Sequence, residues 1–227
     1  RLDGTVRSAR LFPDNFDTTG FGLHPISLRV FHGLIFISFE SKPESFAPAE
    51  RAMTDCFEAF ALDKAKVAAR INYPVAANWK LALENYLECY HCAPAHPEFS
   101  QSHSIKLPRG TYPDLERAFE QRAEAAGLCF AEVDEAFRIS AAHDVGYFYD
   151  RYALFDGYET GSEDGKPVAT LMGRITAFDG GASNGQFGAL CYLLAYCDHT
   201  VIYRFTPRTV SQTEMEIIWL VDGDAVE

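Results

Sequence analysis

Three things are scarce in this sequence: clustered positive charge, long apolar runs, and cysteines spaced as a disulfide framework. Twenty Lys and Arg stand against 32 Asp and Glu, giving a net charge of −12 with no basic cluster to interrupt it. A phosphate backbone would be repelled, so nucleic acid is not an expected partner. The longest nearly apolar run, FGALCYLLAYC from Phe187 to Cys197, falls well short of the roughly 20 residues that cross a bilayer. It reads as a buried strand, and no membrane is expected. Six cysteines without framework spacing suit a reducing cytoplasm, with Cys56, Cys129 and Cys191 as buried thiols. The opening RLDGTVRSAR has neither an initiator methionine nor the apolar core of a signal peptide, and it reads as the middle of a strand. The chain is therefore expected to be a piece of a longer one.

What is present suits a globular fold. At 227 residues, 48% of them apolar, the chain can bury one large core, or one domain plus a smaller piece. An aromatic content of 14% is enough to line a pocket as well as a core. Strands are expected at 5–12 and 26–39, with a turn at His32-Gly33, and a boundary in KPESFAPAE near Lys42. Apolar spacing predicts a helix over 49–62, then a strand over 67–75 and a helix from Asn78 until Pro94. Another helix is predicted from Pro113 to Gly127, followed by a polar loop over 156–167. From Val168 onward the pattern is strand (VATLMGRITAF), turn (DGGASNG), then strands QFGALCYLLAY, TVIYRFTPRTV and EMEIIWLVD. Neither an internal repeat nor a low-complexity segment occurs.

The densest chemistry lies in NWKLALENYLECYHCAPAHPEF, residues 78–99. On a helix, Trp79, Leu83, Tyr86, Leu87 and Tyr90 share an apolar stripe, while Lys80, Glu84, Glu88 and His91 line another side. That second side reads equally as a solvated face. His96, five residues after His91 and across Pro94, changes the balance, because a chain bent at the proline can turn both imidazoles toward one point. Two imidazoles and a carboxylate on one side of an iron(II) leave positions open for dioxygen. The competing reading is structural zinc on Cys89, Cys92 and His96, which lacks a second Cys-x2-Cys elsewhere in the chain.

NWK, then EN, then E-x2-H-x4-H-P resembles the catalytic signature of the Rieske-type non-haem iron oxygenases, in their large (α) subunit. LDG at 2–4, HGLIFISF at 32–39 and VDGDAVE at 221–227 are similar to further segments of that family, so the likeness runs over essentially the whole chain. The resemblance implies an α+β fold of the helix-grip kind, an antiparallel sheet packed on a long helix. It divides the chain into residues 1–40, terminal strands of a Rieske domain, and 41–227, a catalytic domain incomplete at its C-terminal end. It implies His91 and His96 as ligands of a mononuclear Fe(2+), Asn85 as an amide near the iron, and Glu88 as the acid that links two metal centres. The second centre is a Rieske [2Fe–2S] cluster on a neighbouring subunit of a ring, a homotrimer or a multiple of one. NAD(P)H feeds it indirectly through a reductase or ferredoxin. The cluster needs Cys-x-His and Cys-x2-His; this chain has Cys89-x-His91 and Cys197-x-His199 but no Cys-x2-His, so the cluster ligands are expected outside it. The third iron ligand, an aspartate on a late helix, is expected beyond Glu227; neither Asp144 nor Asp150 is assigned to it.

Within the family, ECYHCxxAHPE is most similar to the branch that oxidises betaines and choline. There an aromatic cage drawn from Tyr147, Phe148, Tyr149, Tyr152, Tyr192, Tyr196, Tyr203 and Phe205 would hold a cation. The implied function is activation of dioxygen to hydroxylate or N-demethylate a small organic substrate. The alternatives are dihydroxylation of an aromatic ring, as in aromatic hydrocarbon catabolism, and a helix-grip ligand-binding protein without a working metal.

Overall fold

A computed structural model describes residues 1–104, 110–134 and 146–225. Its centre is a seven-stranded antiparallel sheet, β3 (Lys66–Val75), β4 (Val133–Asp134), β5 (Tyr147–Ala153), β6 (Gly181–Phe187), β7 (Cys191–Ala195), β8 (His199–Thr209) and β9 (Gln212–Val221), in the order β3-β9-β8-β7-β6-β5-β4. A separate hairpin, β1 (Ser27–Phe31) and β2 (Leu34–Ser38), precedes it. Its turn lies at His32-Gly33, as the sequence predicts, with φ of 45° and 79°. The helices are α1 (Ala47–Glu58), α2 (Trp79–Leu87), α3 (Cys92–Ala95), α4 (Pro97–Ser102) and α5 (Pro113–Ala125). Among the described residues, no helix is long and apolar enough to cross a membrane.

Strand alternation gives the sheet two faces. The row Tyr149, Gly185, Leu193, Ile202, Ile218 crosses it on one side, and the row Phe148, Gln186, Tyr192, Tyr203, Ile217 on the other. The first face holds the main core. Phe57 of α1 is fully buried there beside Tyr149 and Phe187, at ring separations of 5.4 and 5.9 Å. Phe31 and Phe36 of the hairpin meet the same Phe187, so the hairpin closes one end of that core.

Three expectations fail, each for a packing reason. DGGASNG is no turn, because its glycines serve a strand. A Cβ on Gly181 would lie 1.9 Å from the Phe119 ring, and one on Gly185 would lie 2.5 Å from Phe57. The strand is bare so that α1 and α5 can approach it. The turn falls later, at Gly188 with φ of 62°, and splits FGALCYLLAYC between β6 and β7. VATLMGRITAF is irregular and not a strand. Met172 is buried with its N–H donating to the Cys197 carbonyl, and Arg174 N–H donates to the carbonyl of Ala59 just past α1, so the segment crosses the core edge as a strap. Residues 5–12 form no strand either; Leu11 has φ of 73° and is fully exposed. Of the thiols, Cys56 is buried while Cys129 and Cys191 are partly so, and all six cysteines are free.

Candidate metal centre

Helix α2 starts at Asn78, whose side-chain oxygen accepts from Lys80 N–H at 3.0 Å while its amide nitrogen donates to the Val210 carbonyl at 2.7 Å. One side chain thus caps the helix and ties it to the β8–β9 turn. Thr213 adds a second tie, donating to the Ala77 carbonyl at 2.9 Å. The helix therefore lies over the second face of the sheet, where Tyr86 meets Tyr192, Tyr203 and Phe205 at 4.7, 5.0 and 5.6 Å. Burial pushes the Tyr86 phenol well above its usual range and those of Tyr192 and Tyr203 up to about 12. These are neutral rings at any physiological pH.

The helix ends at Leu87, earlier than the expected stop at Pro94. Glu88 is extended, with φ −92° and ψ 132°, and its carboxylate accepts from the Tyr90 backbone N–H at 2.8 Å. That local hydrogen bond offers the chain an alternative to a further helical turn. Pro94 sits at the third position of the short helix α3, where its missing N–H costs nothing. The stripe expected to continue through Tyr90 therefore stops, and Tyr90 is exposed.

The break brings the sequence candidates together. His91 is the N-cap residue of α3, and His96 is the C-cap of α3 and the N-cap of α4. Their ring centroids are 5.3 Å apart with planes at 77°. Glu88 Oε1 lies 2.5 Å from His91 Nδ1, and this hydrogen bond is the main cause holding the Glu88 carboxyl below its usual range. With Nδ1 engaged by the carboxylate, Nε2 is the nitrogen left for a metal. Asn85, one turn earlier, is exposed.

Two facing imidazoles at this separation, one steadied by a carboxylate, fit a shared divalent ion. Among the described residues no group of three His, Cys, Asp or Glu side chains is placed to share one. Cys89 and Cys92 face each other at 3.0 Å, and burial pushes the Cys89 thiol up to about 12. Asp150 lies on the sheet face toward α2, opposite Asn184; Asp144 falls outside the described residues.

The aromatic candidates divide between the two faces. Phe148, Tyr152, Tyr192, Tyr203 and Phe205 are on the α2 face, and Tyr196, just past β7, joins their cluster there. Tyr147 and Tyr149 are on the opposite face with the main core. Tyr86 is the aromatic that the sequence reading missed for this role. It counted only as part of the stripe, although the same spacing carries it to the sheet, against Tyr192, Tyr203 and Phe205.

A family model, ring hydroxylating alpha subunit (catalytic domain), matches residues 62–227. The glycine betaine monooxygenase oxygenase subunit of Pseudomonas aeruginosa (strain UCBPP-PA14) is 32% identical over 219 residues, covering 94% of this chain and 49% of its own. The carnitine monooxygenase oxygenase subunit of Escherichia coli (strain K12) is 38% identical over 109 residues, 45% of this chain and 28% of that protein. Among solved structures, a quaternary ammonium Rieske monooxygenase bound to an inhibitor shares the fold with a TM-score of 0.62 at 17% identity, over 100% of this chain and 51% of that one. Naphthalene 1,2-dioxygenase from Rhodococcus sp. does so at 0.52 and 16%, over 99% and 52%. The chain thus spans about half the length of the curated betaine relative it matches.

Proposed function

Since the chain belongs to the family of ring-hydroxylating α subunits, we propose that it is part of the oxygenase component of a monooxygenase acting on a small quaternary ammonium compound. The observation that carries this reading is the pair His91 and His96, ring centroids 5.3 Å apart, which follows directly on helix α2, whose Tyr86 packs against Tyr192, Tyr203 and Phe205. His91 and His96 would hold iron(II), and dioxygen activation is the chemistry that iron supplies when bound.

The chain's own residues orient and select. Glu88 fixes the His91 ring through Nδ1, and its half-exposed carboxylate at the end of α2 supports the role assigned to it here, a link toward a neighbouring subunit of a trimer. Asn85 is assigned a supporting place near the iron. The neutral rings of Tyr86, Tyr192, Tyr203 and Phe205 offer π faces to a methylated cation, which cannot accept or donate a conventional hydrogen bond. A third, carboxylate ligand and the [2Fe–2S] cluster come in this proposal from polypeptide outside residues 1–227, and electrons from NAD(P)H through a reductase. Residues 1–40 are assigned to a Rieske domain and 41–227 to the catalytic domain. The apolar outer face of the hairpin, Leu28, Val30, Ile35 and Ile37, each more than half exposed, supports continuation into further β structure. Six free thiols support a cytoplasmic setting.

In the net reaction one oxygen atom enters a C–H bond of an N-methyl group, and the other leaves as water with two electrons and two protons. The resulting N–CH2OH group sheds formaldehyde and a proton, leaving a tertiary amine. The test is formaldehyde release by the full-length protein with a reductase and NAD(P)H, offering glycine betaine, carnitine and naphthalene in parallel. Formaldehyde matched to betaine consumed supports the proposal. A cis-dihydrodiol from naphthalene with no betaine turnover favours aromatic dihydroxylation, and no turnover with tight binding of an apolar ligand favours a binding protein.

A further inference from the structure

Helix α4 has His96 as its N-cap residue and His103 as its C-cap residue, so two imidazoles stand at opposite ends of one six-residue helix. A helix this short has no stability of its own, and whatever fastens it decides where it lies. The fastening is at the His103 end. Phe155 N–H donates to the Ser102 carbonyl at 2.8 Å, Ser104 Oγ donates to the Ala153 carbonyl at 2.6 Å, and His103 forms an isolated bridge with Leu154. The His96 end has no side-chain cap hydrogen bond.

His103 itself is 2% exposed, and the Phe99 ring stacks on it at 3.9 Å and 17°. Its Nε2 lies 2.7 Å from the Tyr196 hydroxyl, and its Nδ1 lies 3.1 Å from the Phe99 carbonyl and 2.7 Å from Ser102 Oγ. Burial lowers its pKa to about 4, so the ring is neutral and one nitrogen must accept. The Ser102 hydroxyl donates its proton to the Glu98 carbonyl at 3.1 Å and the Phe99 carbonyl can only accept, which places the proton on Nδ1 and leaves Nε2 to accept from the Tyr196 O–H. Tyr196 follows β7, so this bond pins α4 to the sheet.

We propose that His103, held by Tyr196, is a positioning residue for His96: the bond fixes one end of α4 and thereby sets where the His96 imidazole stands relative to His91. The inference rests on the reading that His91 and His96 bind the metal. A helix of six residues is only about 9 Å long, so a shift at one end is felt at the other. Neither His103 nor Tyr196 needs to touch the ion.

The experiment is a Co(II) titration of the full-length apoprotein, read by visible ligand-field absorption, with far-UV circular dichroism as the check on folding. Tyr196→Phe removes only the donated hydroxyl and is expected to weaken Co(II) about tenfold and to shift the ligand-field bands, as loss of outer-shell support does. His103→Gln keeps a side-chain acceptor near Nε2 and is expected to recover most of the affinity and the wild-type spectrum. His103→Ala should not. A folded Tyr196→Phe protein with wild-type affinity and spectrum overturns the proposal, and so does one that cannot fold, since the pair would then be structural only. His91→Ala and His96→Ala run alongside: Co(II) binding that survives both removes the metal reading itself, and the positioning role with it.

Discussion

Glu88 Oε1 and His91 Nδ1 lie 2.5 Å apart across a break in the helix, not along its face. The carboxylate leaves the helix at the residue where α2 ends, and it steadies the ring that the next turn presents. Glu88→Gln keeps an acceptor for Nδ1–H, so metal affinity in the full-length protein should fall by only a few fold. Glu88→Ala removes the acceptor and should cost about 10- to 100-fold. Titration with Co(II) or Fe(II) separates the two. If Glu88→Gln also slows reduction of the iron in a single turnover, the carboxylate's charge matters for electron delivery; an unchanged rate removes that role.

The thiols make a contrasting case. Cys89 and Cys92 bracket His91 and touch each other, yet the proposed site uses imidazoles. Cys89→Ser and Cys92→Ser should leave the mononuclear iron in place. Metal analysis of these two variants decides it, and loss of metal together with zinc in the wild type would restore the thiolate reading.

Acid should destabilise the fold through His103. Its folded pKa is lowered from 6.5 to about 4, so between those values the unfolded chain binds a proton that the folded chain does not. Stability from this group is full above about pH 6.5, falls as pH drops through the window, and levels below about 4. At about 1.4 kcal/mol per pH unit the loss amounts to about 3 kcal/mol. Urea unfolding of wild type and His103→Gln at pH 7.5 and 4.5 tests it: the difference between the two proteins should depend on pH.

The bare strand β6 makes a packing prediction. Gly181→Ala would put a Cβ 1.9 Å from the Phe119 ring, so α5 or the strand must move. The expected cost is about 2–3 kcal/mol in urea unfolding, the usual range for overpacking a filled core. A substitution without effect would mean that α5 does not press on the sheet at this point.

Much of this architecture was legible because burial writes itself into periodicity. Helices α1 and α5 repeat as their buried faces require, strands β3, β8 and β9 show as runs rich in β-branched and aromatic residues, and the His32-Gly33 turn declares itself by residue type. The candidate site was legible as spacing, since His91, His96 and Glu88 fall within nine residues. Its shape was not. The sequence pointed to Pro94 as the break because proline stops helices, whereas Glu88 folds its own carboxylate onto the following backbone and ends α2 first. Glycines in β6 looked like a turn because the reason for them, the rings of Phe57 and Phe119, lies far away in the chain. His103 carried no local signal at all: its partner Tyr196 is 93 residues distant, and only the fold brings them to 2.7 Å.

The account stands or falls on whether His91 and His96 hold the mononuclear iron, and metal analysis of the full-length protein tests this most directly. Iron per chain should be measured together with the visible absorption of the iron–sulfur cluster in wild type, His91→Ala and His96→Ala. The account predicts that each substitution removes the mononuclear iron while the cluster absorption and the circular dichroism stay unchanged. Full iron content in either folded variant would contradict it.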